Sequence, residues 1–264
     1  FLLVTENKDL LLRFLTDMSQ GMPNLGVVIN SEKTKTSCTC TLAENEVLEK
    51  DVICMNGSSF FRWCGLLIDT RTLNVRIDYG RFIGSIPKHK LNVSKSRKDG
   101  ATLLTKLKWF VRPRCTPVLF DSRINSSSTI AINFHQAIMF CAIKSIHYLN
   151  DFDPDHNEKF LRNCISNTIL FAYNHIYSNL RKETKQGGPD SEAVFANMID
   201  EEAALWLGFQ AYRLVFQRSR RPVFVRRSKE LMQNVQWSRQ GTNLELNTIV
   251  EQSVKSFHLE KFHL

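Results

Sequence analysis

The spacing of apolar residues changes once along the chain. Up to residue 80 they come in short runs separated by turn residues, and residues 73–77 alternate as a strand does. From residue 102 they recur at three- and four-residue steps over long stretches, which is the period of a helix. The pattern therefore predicts an α+β chain, in which a short antiparallel sheet region precedes an all-helical bundle.

Local signals place the individual elements. Asn7 is a suitable N-cap for a helix that Gly21 and Pro23 end. Strands are predicted at residues 26–29 and 34–40. The helical pattern of the second half predicts six helices, at residues 102–111, 126–149, 157–182, 191–218, 229–238 and 244–257.

Residues 60–70 form an aromatic and apolar run with Gly65 at its centre and polar turn residues after it. This pattern predicts a buried β-hairpin. The hairpin lies between the strand-rich first part of the chain and the helical second part.

The positive charge is concentrated in one stretch. The net charge is +9, and residues 81–114 contain ten Lys or Arg against one acid, so this stretch carries the whole excess. Solvated surfaces usually mix both signs, whereas a one-signed cluster is typical of proteins that bind nucleic-acid phosphates. A second acid-free cluster runs from Arg213 to Lys229, and its charge alone is the ground for a contact with RNA or with an RNA-binding domain.

Several function classes find no support in the sequence. It has no Ser/His/Asp arrangement, no glycine-rich phosphate loop and no paired acids for magnesium, so no metal is expected to bind this chain. No run of about 18 apolar residues predicts a membrane span. The seven irregularly spaced cysteines are typical of reduced core thiols, and the close pair Cys38 and Cys40 lacks a second pair at zinc spacing.

Two segments then resemble a known family. Residues 26–34 (GVVINSEKT), followed some thirty residues later by residues 63–70 (WCGLLIDT), are similar to motifs D and E of telomerase reverse transcriptases. Residues 120–126 (FDSRINS) and 191–194 (SEAV) are similar to stretches of the C-terminal extension of the same family. The likeness is strongest over residues 26–73 and weaker in the helices.

The resemblance implies a domain organisation. Residues 1–80 would be the distal palm, with a primer-grip hairpin, and residues 81–264 the helical thumb or C-terminal extension, with the basic loop and helix at 81–114. Residues 1–5 would directly follow the family's Asp-Asp pair. The chain, which also lacks an initiator methionine, is therefore expected to be an inactive fragment of an enzyme that uses Mg²⁺ held elsewhere.

The resemblance also implies roles for individual residues. Lys33 matches the motif D lysine, a candidate general acid; from the residues alone, a solvated turn lysine beside Glu32 is favoured instead. Gly65 would let the nucleic-acid backbone approach, while for Trp63 core packing and contact stay open. The implied primer grip consists of Trp63, Cys64, Gly65 and Leu66. The implied nucleic-acid contacts are Lys88, Lys90, Lys95, Arg97, Lys98, Lys106 and Lys108.

The function implied is that of an RNA-directed DNA polymerase that adds telomeric repeats at chromosome ends in the nucleus. Its partners would be telomerase RNA, a telomeric DNA primer, their RNA–DNA hybrid and the other domains of the polypeptide, with no membrane. Two alternatives are a non-catalytic nucleic-acid-binding domain and the thumb of a retroelement or intron reverse transcriptase. The Trp-Cys-Gly-Leu sequence followed by Asp-Thr disfavours the last.

Overall fold

The structure is a computed structural model in which the chain forms two compact units, Phe1–Thr72 and Leu73–Leu264. The division falls eight residues before the predicted boundary at residue 80, and the assignment of the parts to palm and thumb stays a prediction. The structure describes residues 2–27, 30, 33–41, 47–55, 57–83, 101–150, 158–184, 193–196, 198–220, 222–230 and 243–262.

The first unit begins with the helix α1 (Lys8–Gln20). As predicted, Asn7 caps it: its Oδ1 atom accepts hydrogen bonds from the amides of Asp9 at 2.9 Å and Leu10 at 3.1 Å. Gly21 follows with φ of 67°, a left-handed value that glycine adopts without steric cost and that ends the helix.

Short antiparallel strands make up the rest of the first unit. The pair β1 (Cys40–Thr41) and β2 (Val47–Leu48) is separate from a meander of three strands. These three strands are β3 (Val52–Met55), β4 (Ser58–Trp63) and β5 (Leu66–Asp69).

Two predictions for this unit need correction. The strand predicted at residues 34–40 shrinks to one bridge at Thr36 and the start of β1, because the chain bends between them. The hairpin at residues 60–70 is present, but only Phe60, Leu67 and Asp69 in it are buried. When only one face of an antiparallel sheet is covered, only alternate residues of each strand are buried. A continuous apolar sequence can therefore form such a strand without being buried on both faces.

The second unit contains one strand and six helices among its described residues, which confirms the predicted α+β class. They are β6 (Val75–Ile77), α2 (Ala101–Val111), α3 (Ser127–Asn150), α4 (Glu158–Thr184), α5 (Glu201–Gln217), α6 (Pro222–Glu230) and α7 (Asn243–Phe257).

Two of these helices differ from the predicted ones. The helix α5 begins ten residues after residue 191, since Asp200 caps it by accepting a 2.6 Å hydrogen bond from the amide of Ala203. A 3₁₀ turn, Ala193–Phe195, precedes it. The helix α6 was not predicted; proline suits its first turn, where the missing N–H costs nothing. Most of the helix predicted at residues 229–238 lies outside the described residues.

The core is organised around α3. It contacts α2, α5, α7 and β6, and almost all its described side chains are buried. Ser127–Leu149 is the one described stretch long and apolar enough to cross a membrane, but 94% of its most apolar window is covered by the rest of the protein. Its apolarity is therefore that of a central core helix.

Buried amides attach β6 to α3. The Nδ2 group of Asn133 donates to the carbonyl oxygens of Val75 and Leu119, each at 2.9 Å. The Oδ1 atom of Asn125 accepts from the amide of Val75 at 2.7 Å, while its Nδ2 group donates to the carbonyl of Val118 at 2.9 Å. These bonds satisfy buried backbone groups of Val75, Val118 and Leu119.

A second polar contact attaches α7. His135 Nδ1 and Ser253 Oγ lie 2.7 Å apart, and the Gln136 side-chain amide donates to the carbonyl of Ser253 and to Ser256 Oγ. Burial lowers the pKa of His135 to about 3, so its ring is neutral at physiological pH. The contact fixes the register of α7 on α3 without burying a charge.

The close approach of α4 and α5 gives a stability prediction. A Cβ atom on Gly208 would lie 2.6 Å from Cδ1 and Cγ1 of Ile169 and 2.9 Å from its Cγ2. Gly208→Ala should lower the free energy of unfolding, because the overpacking cost of about 1–3 kcal/mol exceeds the roughly 1 kcal/mol gained in helix propensity. Chemical denaturation measures it.

The control is a double-mutant cycle. Adding Ile169→Ala to Gly208→Ala should cost less than the two single changes together, since the truncated side chain leaves room for the new methyl group. Simple additivity would contradict the close contact.

Candidate nucleic-acid interface

The four residues predicted as a primer grip form the tip of the β4–β5 hairpin. Trp63 pairs with Leu66, which leaves Cys64 and Gly65 as a two-residue turn. Their φ angles are 48° and 80°, and a type I′ turn requires positive values at both positions. The turn thus explains Gly65 by backbone conformation, independently of any approach by nucleic acid.

The hairpin ends in a second tight turn. The Oδ1 atom of Asp69 accepts hydrogen bonds from the amides of Arg71 and Thr72, each at 2.9 Å. Burial raises the pKa of Asp69, but hydrogen bonds from the Thr72 and Arg71 amides outweigh it and hold the pKa below its usual value. A charged Asp69 therefore orders the chain where β5 ends.

Lys33 lies near the start of the segment that leads into this sheet. Its backbone N–H donates to the carbonyl of Asn30 at 3.1 Å, and its side chain is exposed. The segment then reaches the start of β3: Thr36 forms a parallel bridge with Lys50, and Lys35 pairs with Asp51. The exposed ammonium group is compatible with a charged ligand, but a catalytic role for it stays a prediction.

The helix α2 has two chemically different sides. Leu103, Leu107 and Val111 are buried against α3 and α4. Lys106 and Lys108 are half-buried, with their ammonium groups 5.9 Å from the ring of Trp109 and 5.2 Å from that of Phe171, respectively. Lys108 therefore points along the α4 surface rather than freely into solvent.

Trp109 is the residue that the sequence reasoning missed. It is 68% exposed on the side of α2 opposite the leucines, next to Lys106. The helical period carries this information: two residues after a buried Leu107, a side chain is rotated by about 200°. An exposed tryptophan beside a lysine is chemically suited to base stacking and to phosphate binding.

The ten cations of residues 81–114 are not equivalent. Arg114 is half-buried, with its guanidinium carbon 3.9 Å from the ring centroid of Phe140, and it donates to the carbonyl of Phe110 at 2.8 Å. Its charge stabilises the core more than it contributes to a surface. The predicted contacts Lys88, Lys90, Lys95, Arg97 and Lys98 lie outside the described residues.

The second basic cluster lies on α5, α6 and their connection. Arg213 is partly engaged, since its Nε group donates to Gln210 Oε1 at 2.8 Å. Among the described residues of this cluster, the exposed cations are Arg218, Arg220, Arg226 and Lys229. It is a second positive surface, on helices other than α2.

The described residues provide no metal centre and only part of the predicted thiol core. Among them, no group of three or more His, Cys, Asp or Glu could hold a metal ion. They therefore do not fit the magnesium that the sequence resemblance implies for the whole enzyme. All seven cysteines are free, but the burial prediction is wrong for the three exposed ones, Cys38, Cys54 and Cys64.

Comparisons with known proteins all point to one family. The family model described as the C-terminal extension of telomerase reverse transcriptase matches residues 101–229, from the start of α2 into α6. Lys33 and the hairpin tip lie outside that match.

Whole-protein comparisons find relatives that carry the same name. Telomerase reverse transcriptases from Arabidopsis thaliana and Oryza sativa subsp. japonica are 28% and 31% identical to this chain, each over 62% of its length. That of Mus musculus is 29% identical over 81% of this chain. The matches cover 14%, 13% and 18% of those relatives, so the chain spans less than a fifth of their length.

The turn geometry gives a prediction for the hairpin. Gly65→Ala should destabilise it by about 1–2 kcal/mol, because a Cβ atom is strained at positive φ. Cys64→Asn should be neutral or stabilising, since Asn-Gly is the favoured type I′ pair. Hydrogen exchange of the β4 and β5 amides measures both effects, and unchanged protection in Gly65→Ala would contradict the turn assignment.

Proposed function

Because the chain belongs to the telomerase reverse transcriptase family, we propose that it holds the primer end and the RNA–DNA hybrid in an RNA-directed DNA polymerase. That enzyme copies an RNA template into telomeric DNA at chromosome ends in the nucleus. The hairpin tip and the outer side of α2 are its two contact surfaces. In this proposal residues 1–80 are the distal palm and residues 81–264 the thumb.

The observation that carries the proposal is the outer side of α2. Burial of Leu103, Leu107 and Val111 fixes the helix against α3 and α4, so its other side keeps a constant orientation within this unit. That side presents Trp109 and Lys106, a ring for a sugar or base and a cation for a phosphate. Contacts to the sugar-phosphate backbone do not depend on the nucleic-acid sequence. A polymerase needs such contacts because the hybrid moves past it after each addition.

The hairpin tip supports a primer grip. The two-residue turn at Cys64 and Gly65 projects beyond the last strand pair, and Cys64 is exposed. Because Gly65 has no Cβ atom, a nucleic-acid backbone can approach this turn closely. Trp63 and Leu66 are half-buried at the last pair of the ladder, which supports the tip from below.

Lys33 is proposed as the general acid. When the primer 3′ hydroxyl attacks the α-phosphorus of the incoming nucleotide, it loses its proton to water and a new oxygen–phosphorus bond forms. The bond to the bridging oxygen breaks, and pyrophosphate gains negative charge. A protonated lysine amine can donate a proton to that oxygen, and the proton then leaves with pyrophosphate. The exposed position of Lys33 supports this role.

Other contributions follow from charge. Lys88, Lys90, Lys95, Arg97 and Lys98, which precede α2 in the sequence, would add phosphate contacts. The cluster from Arg213 to Lys229 would contact telomerase RNA or the RNA-binding domain of the same polypeptide. The magnesium ions of the reaction would be held by carboxylates of other domains, because the described residues offer no suitable group.

The α2 surface can be tested with two substitutions that separate charge from stacking. Lys106→Ala should weaken binding of an RNA–DNA hybrid by the assembled enzyme and reduce the slope of log affinity against log salt by about 0.9, for one phosphate contact. Trp109→Ala should weaken binding by about tenfold, roughly 1.4 kcal/mol, with the slope unchanged. A salt titration of hybrid affinity measures both.

Lys255→Ala is the matched control, since Lys255 is an exposed cation on α7 away from α2. It should leave affinity and slope as they are. If Lys106→Ala behaves like this control and Trp109→Ala has no effect, α2 is not the hybrid-binding surface.

The general-acid role gives a separate prediction. Lys33→Ala in the complete enzyme should slow nucleotide addition by about a hundredfold or more, which is the 10²–10⁴-fold range typical of acid–base catalysis. Primer affinity should change little, because the lysine acts on the leaving group. Single-turnover extension measures the rate, with Lys35→Ala as the neighbouring control; an unchanged rate would remove Lys33 from the chemistry.

A further inference from the structure

A groove along α4 lies outside the two surfaces described so far. It has a volume of about 460 Å³ and follows the solvent side of the last turns of the helix. Its described lining consists of Tyr173, Asn174, Tyr177, Ser178, Arg181 and Lys182. It thus combines two phenol rings, an amide, a hydroxyl and two cations.

One border of the groove is built by ring stacking. Tyr177 stacks on Phe195 of the 3₁₀ turn before α5, with ring centroids 4.9 Å apart and planes 23° from parallel. Tyr173 lies one turn earlier, with its ring centroid 5.6 Å from that of Tyr177. Packing therefore limits the freedom of the tyrosines, which lowers the entropy cost of stacking a further planar group on them.

The neighbouring side of α4 packs against α2 and the turn that follows it. His175 stacks on Phe171, the ring that Lys108 of α2 covers, and Asn179 donates to the carbonyl of Cys115 at 3.2 Å. Burial lowers the pKa of His175, and the charges of Arg112 and Lys182 lower it further. A cation of the α2 end and a cation of the groove therefore act on the same ring.

The charges along the groove are ordered. Arg181 and Lys182 lie at the end of α4, whereas Asp200 and Glu201 are close enough to Tyr173 to help raise its pKa, after burial and Tyr177. A phosphate is thus favoured at the first end and disfavoured at the second. Cations at the C-terminal end of a helix are favoured by the helix dipole, which would explain Arg181 and Lys182 by themselves. It does not explain why two tyrosines line the same groove.

We infer that this α4 groove binds single-stranded nucleic acid, with bases on Tyr173 and Tyr177 and phosphates on Arg181 and Lys182. The inference rests on the proposed function and extends it: a strand that leaves the hybrid on α2 continues onto α4. Aromatic rings beside cations are the usual means of holding single strands without regard to sequence. The chemistry fits a DNA or an RNA strand.

The test uses the complete polypeptide assembled with its RNA. The photoreactive base 5-iodouracil is placed either in the DNA upstream of the hybrid or in the RNA flanking it. Crosslinks are mapped by mass spectrometry and should fall on Tyr173 or Tyr177. A crosslink from DNA identifies the primer strand as the occupant, and one from RNA identifies the RNA.

Affinity measurements separate this site from the hybrid surface. Arg181→Ala with Lys182→Ala should weaken binding of a primer with a long single-stranded part by about tenfold. The salt slope should fall by about 1.4, for two single-strand contacts. A substrate with the hybrid alone should bind as before. Lys255→Ala with Lys261→Ala is the charge-matched control.

Tyr177→Leu should weaken binding similarly, and Tyr177→Phe should restore it, which separates stacking from a folding defect. The inference is wrong if hybrid binding is intact but neither strand crosslinks to α4. If the hybrid itself is not bound by the α2 surface, the proposed function fails instead.

Discussion

The burial of α3 on nearly every side is the constraint on which the second unit depends. A helix that is apolar all round has to be covered all round, and α2, α5, α7 and β6 supply that cover. Of these elements, α2 and α7 keep exposed residues on their other side, whereas α5 is exposed only at its ends. The surfaces proposed for nucleic acid on α2 and α4 are the sides of these helices that the core does not cover.

Buried polar groups make this packing specific. Apolar contacts alone would allow β6 and α7 to slide along α3, because they have little direction. Asn133 fixes β6 through a backbone carbonyl, and the contact of His135 and Gln136 with Ser253 fixes α7. Removing one partner of such a contact leaves a buried group without a hydrogen bond, which costs more than the bond contributes.

Much of the fold is present in local sequence signals. Helical periodicity placed α2, α3, α4 and α7 within a few residues, and Asn7 was identified as a cap from its residue type alone. The start of α5 at Asp200 escaped this reasoning, because Ser191 and Glu192 are an equally good local start signal. The exposed cysteines also escaped it, since an apolar neighbourhood in sequence does not determine which side of a strand is covered.

The candidate interface divides in the same way. The sequence by itself determined the prediction of a nucleic-acid ligand, since a +9 excess in residues 81–114 and the Trp-Cys-Gly-Leu hairpin are local features. Only the tertiary structure decided which cations face outward: Arg114 is held over Phe140, whereas Lys106 stays beside an exposed Trp109. The groove on α4 likewise needs Phe195, eighteen residues after Tyr177, to stack on that ring. Charge and turn chemistry act between neighbours in sequence, but exposure depends on which distant residues cover a side chain.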